Sequence, residues 1–253
     1  MQFPPELPQN RDWYMLIPSG QILFRLNHCA LYCPFPPDKA TLSEQIYTIL
    51  KNDILDQSIP QGEKLTLKNL QERFTTSSTP IRDALTRLTE EGLVNYYSNV
   101  GVTVISLNEK DIKELYQFIG DMDALAIQYA STHSDQSALL EELAHIVERT
   151  AALHDKDSLT DEETQEWTTL SDRFHLVFYD YCGNSRLARA AEKQRSQLTI
   201  LSKMYQTDHA VQKEIEKSHL FIYEAYRSRE YQKAATLMKE HLKQSLEYAL
   251  RCI

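Results

Sequence analysis

Three histidines offer the clearest chemistry in the chain. His175 lies near Leu170, Phe174 and Phe178, His219 lies between Ile215 and Ile222, and His241 sits with Leu237, Met238 and Leu242. At helical spacing each falls on an apolar face. One such histidine is ordinarily a hydrogen-bonded core residue. Three that a fold brings together are better explained by one shared divalent ion, because imidazoles suit zinc, nickel, iron or manganese. A second group of donors, His28, Cys29 and Cys33, lacks a second half at structural-zinc spacing and reads as packing. Arg82 and Arg87 offer different chemistry. An arginine exposed on a recognition helix reaches guanine edges with two hydrogen bonds, while hydroxyls such as Ser78 and Thr79 and the helix N-terminus take phosphate oxygens. Taken alone, the two arginines are solvated helix charges with Asp83 nearby.

These residues need elements to hold them. Leu42, Ile46, Leu50 and Ile54 mark one face of a helix that Ile59-Pro60-Gln61-Gly62 ends. A short second helix, capped by Thr66, turns Leu67, Leu70 and Phe74 inward. After the polar turn Thr75 to Ser78, Thr79 and Pro80 supply an N-cap and a first-turn proline for a third helix, which Gly92 terminates. Leu93 to Tyr97 and Val102 to Ile105 then read as a β-hairpin with Gly101 at positive φ. Three helices and a hairpin make a winged helix-turn-helix, which docks its last helix in the major groove. From Ser106 onward the period stays helical, with segments at about 109–133, 135–154, 161–182, 184–207, 208–229 and 231–251.

The fold expected is therefore mainly α: a winged helix-turn-helix domain over 41–106 and an all-helical bundle of six to seven helices over 107–253 that can enclose a pocket. Seven of the nine prolines precede residue 38, so residues 1–40 read as an extended proline-rich arm with one strand near Gln21 to Leu26. Only six glycines occur in 253 residues, which argues against a glycine-rich phosphate cradle. The 27 cations and 36 anions leave a net charge of −9. Six cations face eight anions within residues 41–105, so DNA binding there must come from a few placed cations with little help from a basic field. Four scattered cysteines argue for reduced thiols, and the most apolar stretch, Met15 to Phe35, is broken by Pro18, Arg25 and Pro34. No membrane association and a cytoplasmic location are the default expectations.

The runs Ile59-Pro60-Gln61-Gly62-Glu63-Lys64-Leu65, Ser78-Thr79-Pro80-Ile81-Arg82-Asp83-Ala84-Leu85 and Glu91-Gly92-Leu93-Val94 resemble the DNA-binding domain of the GntR family of bacterial transcription regulators. The second half is similar to the FadR-like effector-binding (FCD) domain, through Asp111 to Tyr116, Phe174-His175, Gly183-Asn184, His219 and Glu240-His241-Leu242. The resemblance covers about residues 41–250. It implies a homodimeric repressor or activator, with a repressor the expectation, that binds a pseudo-palindromic double-stranded operator and responds to a small metabolite in the helical domain. It also implies DNA contacts from Lys68, Ser78, Thr79, Arg82 and Arg87, with Asn99 and Gly101 keeping the wing geometry. It places a divalent metal on His175, His219 and His241, and effector contacts on Arg195, Asn184 and Tyr116. An organic or sugar acid is the effector class it favours.

The chain departs from that pattern at four positions. Ser78 and Val100 stand where arginines are common, Ser171 stands where an aspartate ligand precedes the first histidine by one turn, and Ile119 stands where an arginine often pairs with the effector carboxylate. Three outcomes follow: Asp172, about 100° around the helix from Ser171, swings in as fourth ligand, or three histidines and water complete the site, or no metal binds tightly. With Asp121 and Asp123 following Ile119, an uncharged or cationic effector becomes an alternative, with Arg195 or Arg186 as substitute cations. Two rival functions remain: a hydrolase using a three-histidine metal to activate water, and an interaction protein with a degenerate winged helix. The first lacks an obvious general base.

Overall fold

The computed structural model describes residues 40–253, apart from 98–100, 133–134, 155 and 157, together with two strands nearer the N-terminus. These strands, β1 (Tyr14–Leu16) and β2 (Ile22–Arg25), pair antiparallel with Tyr14 opposite Arg25. The single strand expected at 21–26 thus corresponds to β2 and has a partner. The donors His28, Cys29 and Cys33 lie outside the described residues, as do Asn99 and Val100.

Beyond residue 41 a three-helix unit comes first. Its helices are α1 (Leu42–Leu55), α2 (Leu67–Phe74) and α3 (Ser78–Glu90). The strands are β3 (Lys64–Leu65), β4 (Val94–Tyr97) and β5 (Gly101–Val104), antiparallel in the order β3-β5-β4. Strand β3 is an addition to the hairpin expected from sequence: Lys64 and Leu65 pair with Thr103 and Val102 and tie the segment before α2 to the wing. Ile46, Leu50, Ile54, Leu70, Ile81, Leu88 and Val104 form the core. Burial of each of the large aliphatic side chains contributes about 1.5–3 kcal/mol.

Local chemistry sets the helix ends. The Thr66 side chain accepts a hydrogen bond from the Asn69 N–H at 3.2 Å and so caps α2. Helix α3 begins earlier than its residue types suggest. Ser77 occupies the cap position without a side-chain cap bond, Thr79 lies inside the first turn, and Pro80 follows where its missing N–H costs nothing. Gly92 takes φ +71° beyond the end of α3.

Six further helices follow among the described residues: α4 (Glu109–Ala130), α5 (Gln136–His154), α6 (Asp161–Tyr181), α7 (Ser185–Tyr205), α8 (His209–Arg227) and α9 (Tyr231–Arg251). Capping boxes pair Asn108 with Asp111 at the start of α4 and Thr160 with Glu163 at the start of α6. Helix α4 is the central post, packed on α6, α7 and α9. Gly120 faces α9, where a Cβ would meet that of Leu242 at 3.4 Å, in van der Waals contact. The apolar faces enclose one core that includes Tyr116, Trp167, Phe174, Phe178 and Tyr226. One residue crosses between the cores: Ile200 of α7, only 1% exposed, packs with the winged-helix residues. No helix among the described residues is long and apolar enough to cross a membrane.

Candidate functional site

The helical packing brings His175 of α6, His219 of α8 and His241 of α9 together. Their ligand atoms lie within 4.8 Å of one another and all three side chains are buried. His219 stacks on Phe174 at 4.1 Å between ring centroids, which fixes its plane. Burial first, then the neighbouring histidines, pushes His219 and His241 well below the ordinary imidazole pKa, so both are neutral.

Hydrogen bonds settle which nitrogens are available. Nδ1 of His175 lies 2.8 Å from Oδ2 of Asp123. Burial alone would raise the Asp123 carboxyl, but Arg195 and the bonds from His175 and Tyr179 outweigh it and hold the pKa at about 2. An ionised carboxylate only accepts, so Nδ1 of His175 donates and Nε2 keeps its lone pair. His241 reaches the same state by another route. The Ser218 hydroxyl donates to the Ile215 carbonyl at 2.6 Å, so at 2.7 Å it accepts from Nδ1 of His241. His219 has an Nε2 that is buried without a hydrogen-bond partner. Two imidazoles with free Nε2 lone pairs and a third, neutral one whose Nε2 is orphaned fit a divalent transition metal.

Asp123, which the sequence offers only as an acid following Ile119, proves to be the residue that joins the site. Nη1 of Arg195 lies 3.1 and 3.0 Å from its two oxygens, and the Tyr179 hydroxyl donates to Oδ1 at 2.6 Å. Asp123 is 1% exposed and Arg195 is also buried. A signal was present in the sequence, because Asp123 interrupts the apolar stripe of α4 marked by Ile112, Ile119, Ala126 and Ile127.

The remaining expected residues are placed differently. Asp172 is absent from the histidine cluster; it is half-buried on the wall of an adjoining cavity, its carboxyl raised by burial. Ser171 and Asp172 share that wall with His175, His241, Arg195, Gln206 and Ser245, around a free space of about 10 Å³. This admits roughly one water. The Oε1 atom of Gln206 is buried there without a partner. Arg195 reaches the wall, but its guanidinium is already engaged by Asp123. Tyr116 is hydrogen-bonded at 3.0 Å to Tyr205, which lines the cavity. Asn184 is away from that wall: its side-chain oxygen caps α7 by accepting from the N–H groups of Arg186 and Leu187. Arg186 is exposed.

On the winged helix, Lys68, Thr79 and Arg82 are exposed and Ser78 is half-buried. Gly101 takes φ +105° where β5 begins. Arg87 stacks its guanidinium 3.9 Å above the Tyr47 ring, so it packs α3 on α1. Lys51 is paired with Glu91 and Arg73 with Asp53. Among the described residues, Lys64, Lys68, Arg82 and Arg87 carry no ion pair, and Arg87 is exposed.

Sequence comparison assigns residues 42–104 to "Bacterial regulatory proteins, gntR family" and residues 114–244 to the "FCD domain". The chain belongs to the gntR family. This gntR-family chain is 25% identical over 209 residues to the HTH-type transcriptional repressor GlaR of Escherichia coli, covering 78% of this chain and 90% of that protein. It is 24% identical to the HTH-type transcriptional regulator YdhC of Bacillus subtilis over 81% of this chain and 89% of the relative. The fold of the gntR-family chain matches McbR/YncC of Escherichia coli with a TM-score of 0.67 and 20% identity, over 84% of this chain and 99% of the other. A GntR regulator of Rhodococcus gives 0.63 at 20% identity, over 83% and 97%. The gntR-family protein is thus a transcriptional regulator with a DNA-binding helix-turn-helix and a ligand-binding FCD domain, rather than a hydrolase.

Proposed function

We propose that the protein is a homodimeric repressor of a metabolic operon, and that a small metabolite bound beside the three histidines releases it from a pseudo-palindromic operator. The division of labour is residues 41–106 for DNA and 107–253 for ligand and dimer formation, with residues 1–40 as an N-terminal arm. The relatives named as repressors, GlaR and RspR, support the sign of regulation. Lys68, Ser78, Thr79, Arg82 and Arg87 form the base and phosphate contacts, with Asn99 and Gly101 at the wing.

The observation that carries the ligand half is the convergence of three neutral imidazoles with one orphaned Nε2. His175, His219 and His241 hold the ion, which is zinc, nickel, iron or manganese. When bound, it supplies a Lewis-acidic anchor for an oxygen of the effector. Asp123 orients His175 through Nδ1, and Ser218 does the same for His241. Family resemblance favours an organic or sugar acid. The Asp123 bond to Arg195 favours a second reading, an uncharged ligand, because the cation that would receive a free carboxylate is already neutralised. The small cavity requires side chains on its wall to move as the effector enters.

Mobility shift with DNA from the protein's own promoter tests the reading, alongside sedimentation for the dimer and elemental analysis for the metal. A sequence-specific shift by a dimer is expected. No specific shift by either metal-free or metal-loaded protein rejects it.

A further inference from the structure

Helix α7 has two working faces. Arg195, Leu198, Ser202 and Tyr205 line the cavity beside the histidines. Ile200, two residues before Ser202 and so about 200° around the helix, packs in the winged-helix core. The docking of the winged helix on that second face is specific. Gln197 Nε2 donates to the Gly92 carbonyl at 3.1 Å, Gln57 Nε2 donates to the Ile200 carbonyl at 3.5 Å, and Lys203 pairs with Asp56. A Cβ on Gly92 would come within 2.6 Å of Gln197 Nε2. The residue that ends recognition helix α3 is therefore seated directly on α7.

The inner face of α7 is held by Asp123, the same carboxylate that holds His175. We propose that Asp123 and α7 form the relay between the histidine site and the DNA-binding unit. When Nε2 of His175 is engaged, its Nδ1–H becomes a stronger donor and competes with Arg195 for the Asp123 carboxylate. Loosening of Arg195 lets α7 shift as a rigid element. Gln197, Ile200 and Lys203 carry that shift to Gly92 and to the turn after α1. Asp123 is thus a positioning residue, and α7 is the moving part.

The relay rests on the proposed ligand site, but its test has an arm that uses no ligand. Hydrogen exchange on full-length Asp123→Asn, without metal, is expected to change protection in α7, at residues 53–59 and at 88–93, while α5 and α8 stay unchanged. Loss of protection everywhere, or change confined to the helical bundle, overturns the relay. A second arm uses Ni²⁺ alone as the probe. In the unmodified protein Ni²⁺ is expected to change affinity for the protein's own promoter DNA about twofold to thirtyfold. In the surface double variant Gln197→Ala, Lys203→Ala that change disappears while Ni²⁺ affinity is kept. A double variant with the full response overturns the relay. Failure of the unmodified protein to bind Ni²⁺ or Zn²⁺ strikes the ligand-site reading instead, and the Asp123→Asn arm still decides the relay.

Discussion

Nη1 of Arg195 lies 3.0 Å from Oδ2 of Asp123, and both side chains are buried. The pair joins α7 to α4, and it engages the guanidinium that, alone among the described residues, is buried on the cavity wall where a carboxylate effector would seek it. Such a pair contributes little net stability, yet breaking one half leaves a buried charge without a partner.

The first prediction follows from that asymmetry. Asp123→Ala is expected to destabilise the protein by about 3–5 kcal/mol. The double change Asp123→Leu, Arg195→Met recovers most of the loss. Urea unfolding of the metal-free proteins measures both, and a single variant as stable as the parent contradicts the buried-pair account.

Metal binding depends on what stands behind the ligands. Asp123→Asn keeps the shape but removes the charge that orients His175, and affinity for Zn²⁺ is expected to fall about tenfold to a hundredfold. His219→Ala removes a ligand and is expected to abolish the Zn²⁺-dependent rise in melting temperature. Competition with a chelating dye and thermal unfolding read the two effects separately.

Position 171 offers a gain-of-function test. Ser171 lies on the cavity wall one turn before His175. Ser171→Asp supplies an oxygen ligand beside three imidazoles, so Zn²⁺ affinity is expected to rise. A fall would mean that repulsion from Asp172 outweighs the added bond.

DNA affinity should show a limited salt dependence. Lys64, Lys68, Arg82 and Arg87 are the cations of the winged helix without an ion pair among the described residues. For a dimer the slope of log K against log salt is expected to be no steeper than about −7. Lys68→Ala reduces the slope by about 1 per protomer, whereas Arg82→Ala costs about 1–3 kcal/mol and relaxes base preference at one position of each half-site.

Arg87 separates structure from recognition. Its stacking on Tyr47 is expected to contribute about 0.5–1 kcal/mol to folding. Arg87→Ala should lower stability by that amount, with a smaller loss of operator affinity than Arg82→Ala. The opposite ranking in mobility shift makes Arg87 the stronger DNA contact of the two.

Helix and strand periods, together with Thr66, Gly92 and Gly101, were enough to place the winged helix and the six later helices, because amphipathic period and end chemistry are local properties. The same locality explains two misplacements. Thr79 and Pro80 mark a helix start by type, but packing extends α3 back to Ser78; β3 is only two residues long and exists because β5 lies beside it. The three histidines were legible as residues on apolar faces. Their convergence was implied only by the family resemblance, not by period or spacing, since they come from α6, α8 and α9. Asp123 carried a sequence signal as an acid in an apolar stripe, but its partners are 52 and 72 residues away, and only packing of α4 against α6 and α7 makes it the group that holds His175 and Arg195. Ile200 is the plainest case. By sequence it is one more apolar residue of α7, and tertiary structure alone decides that it belongs to the core of the DNA-binding unit.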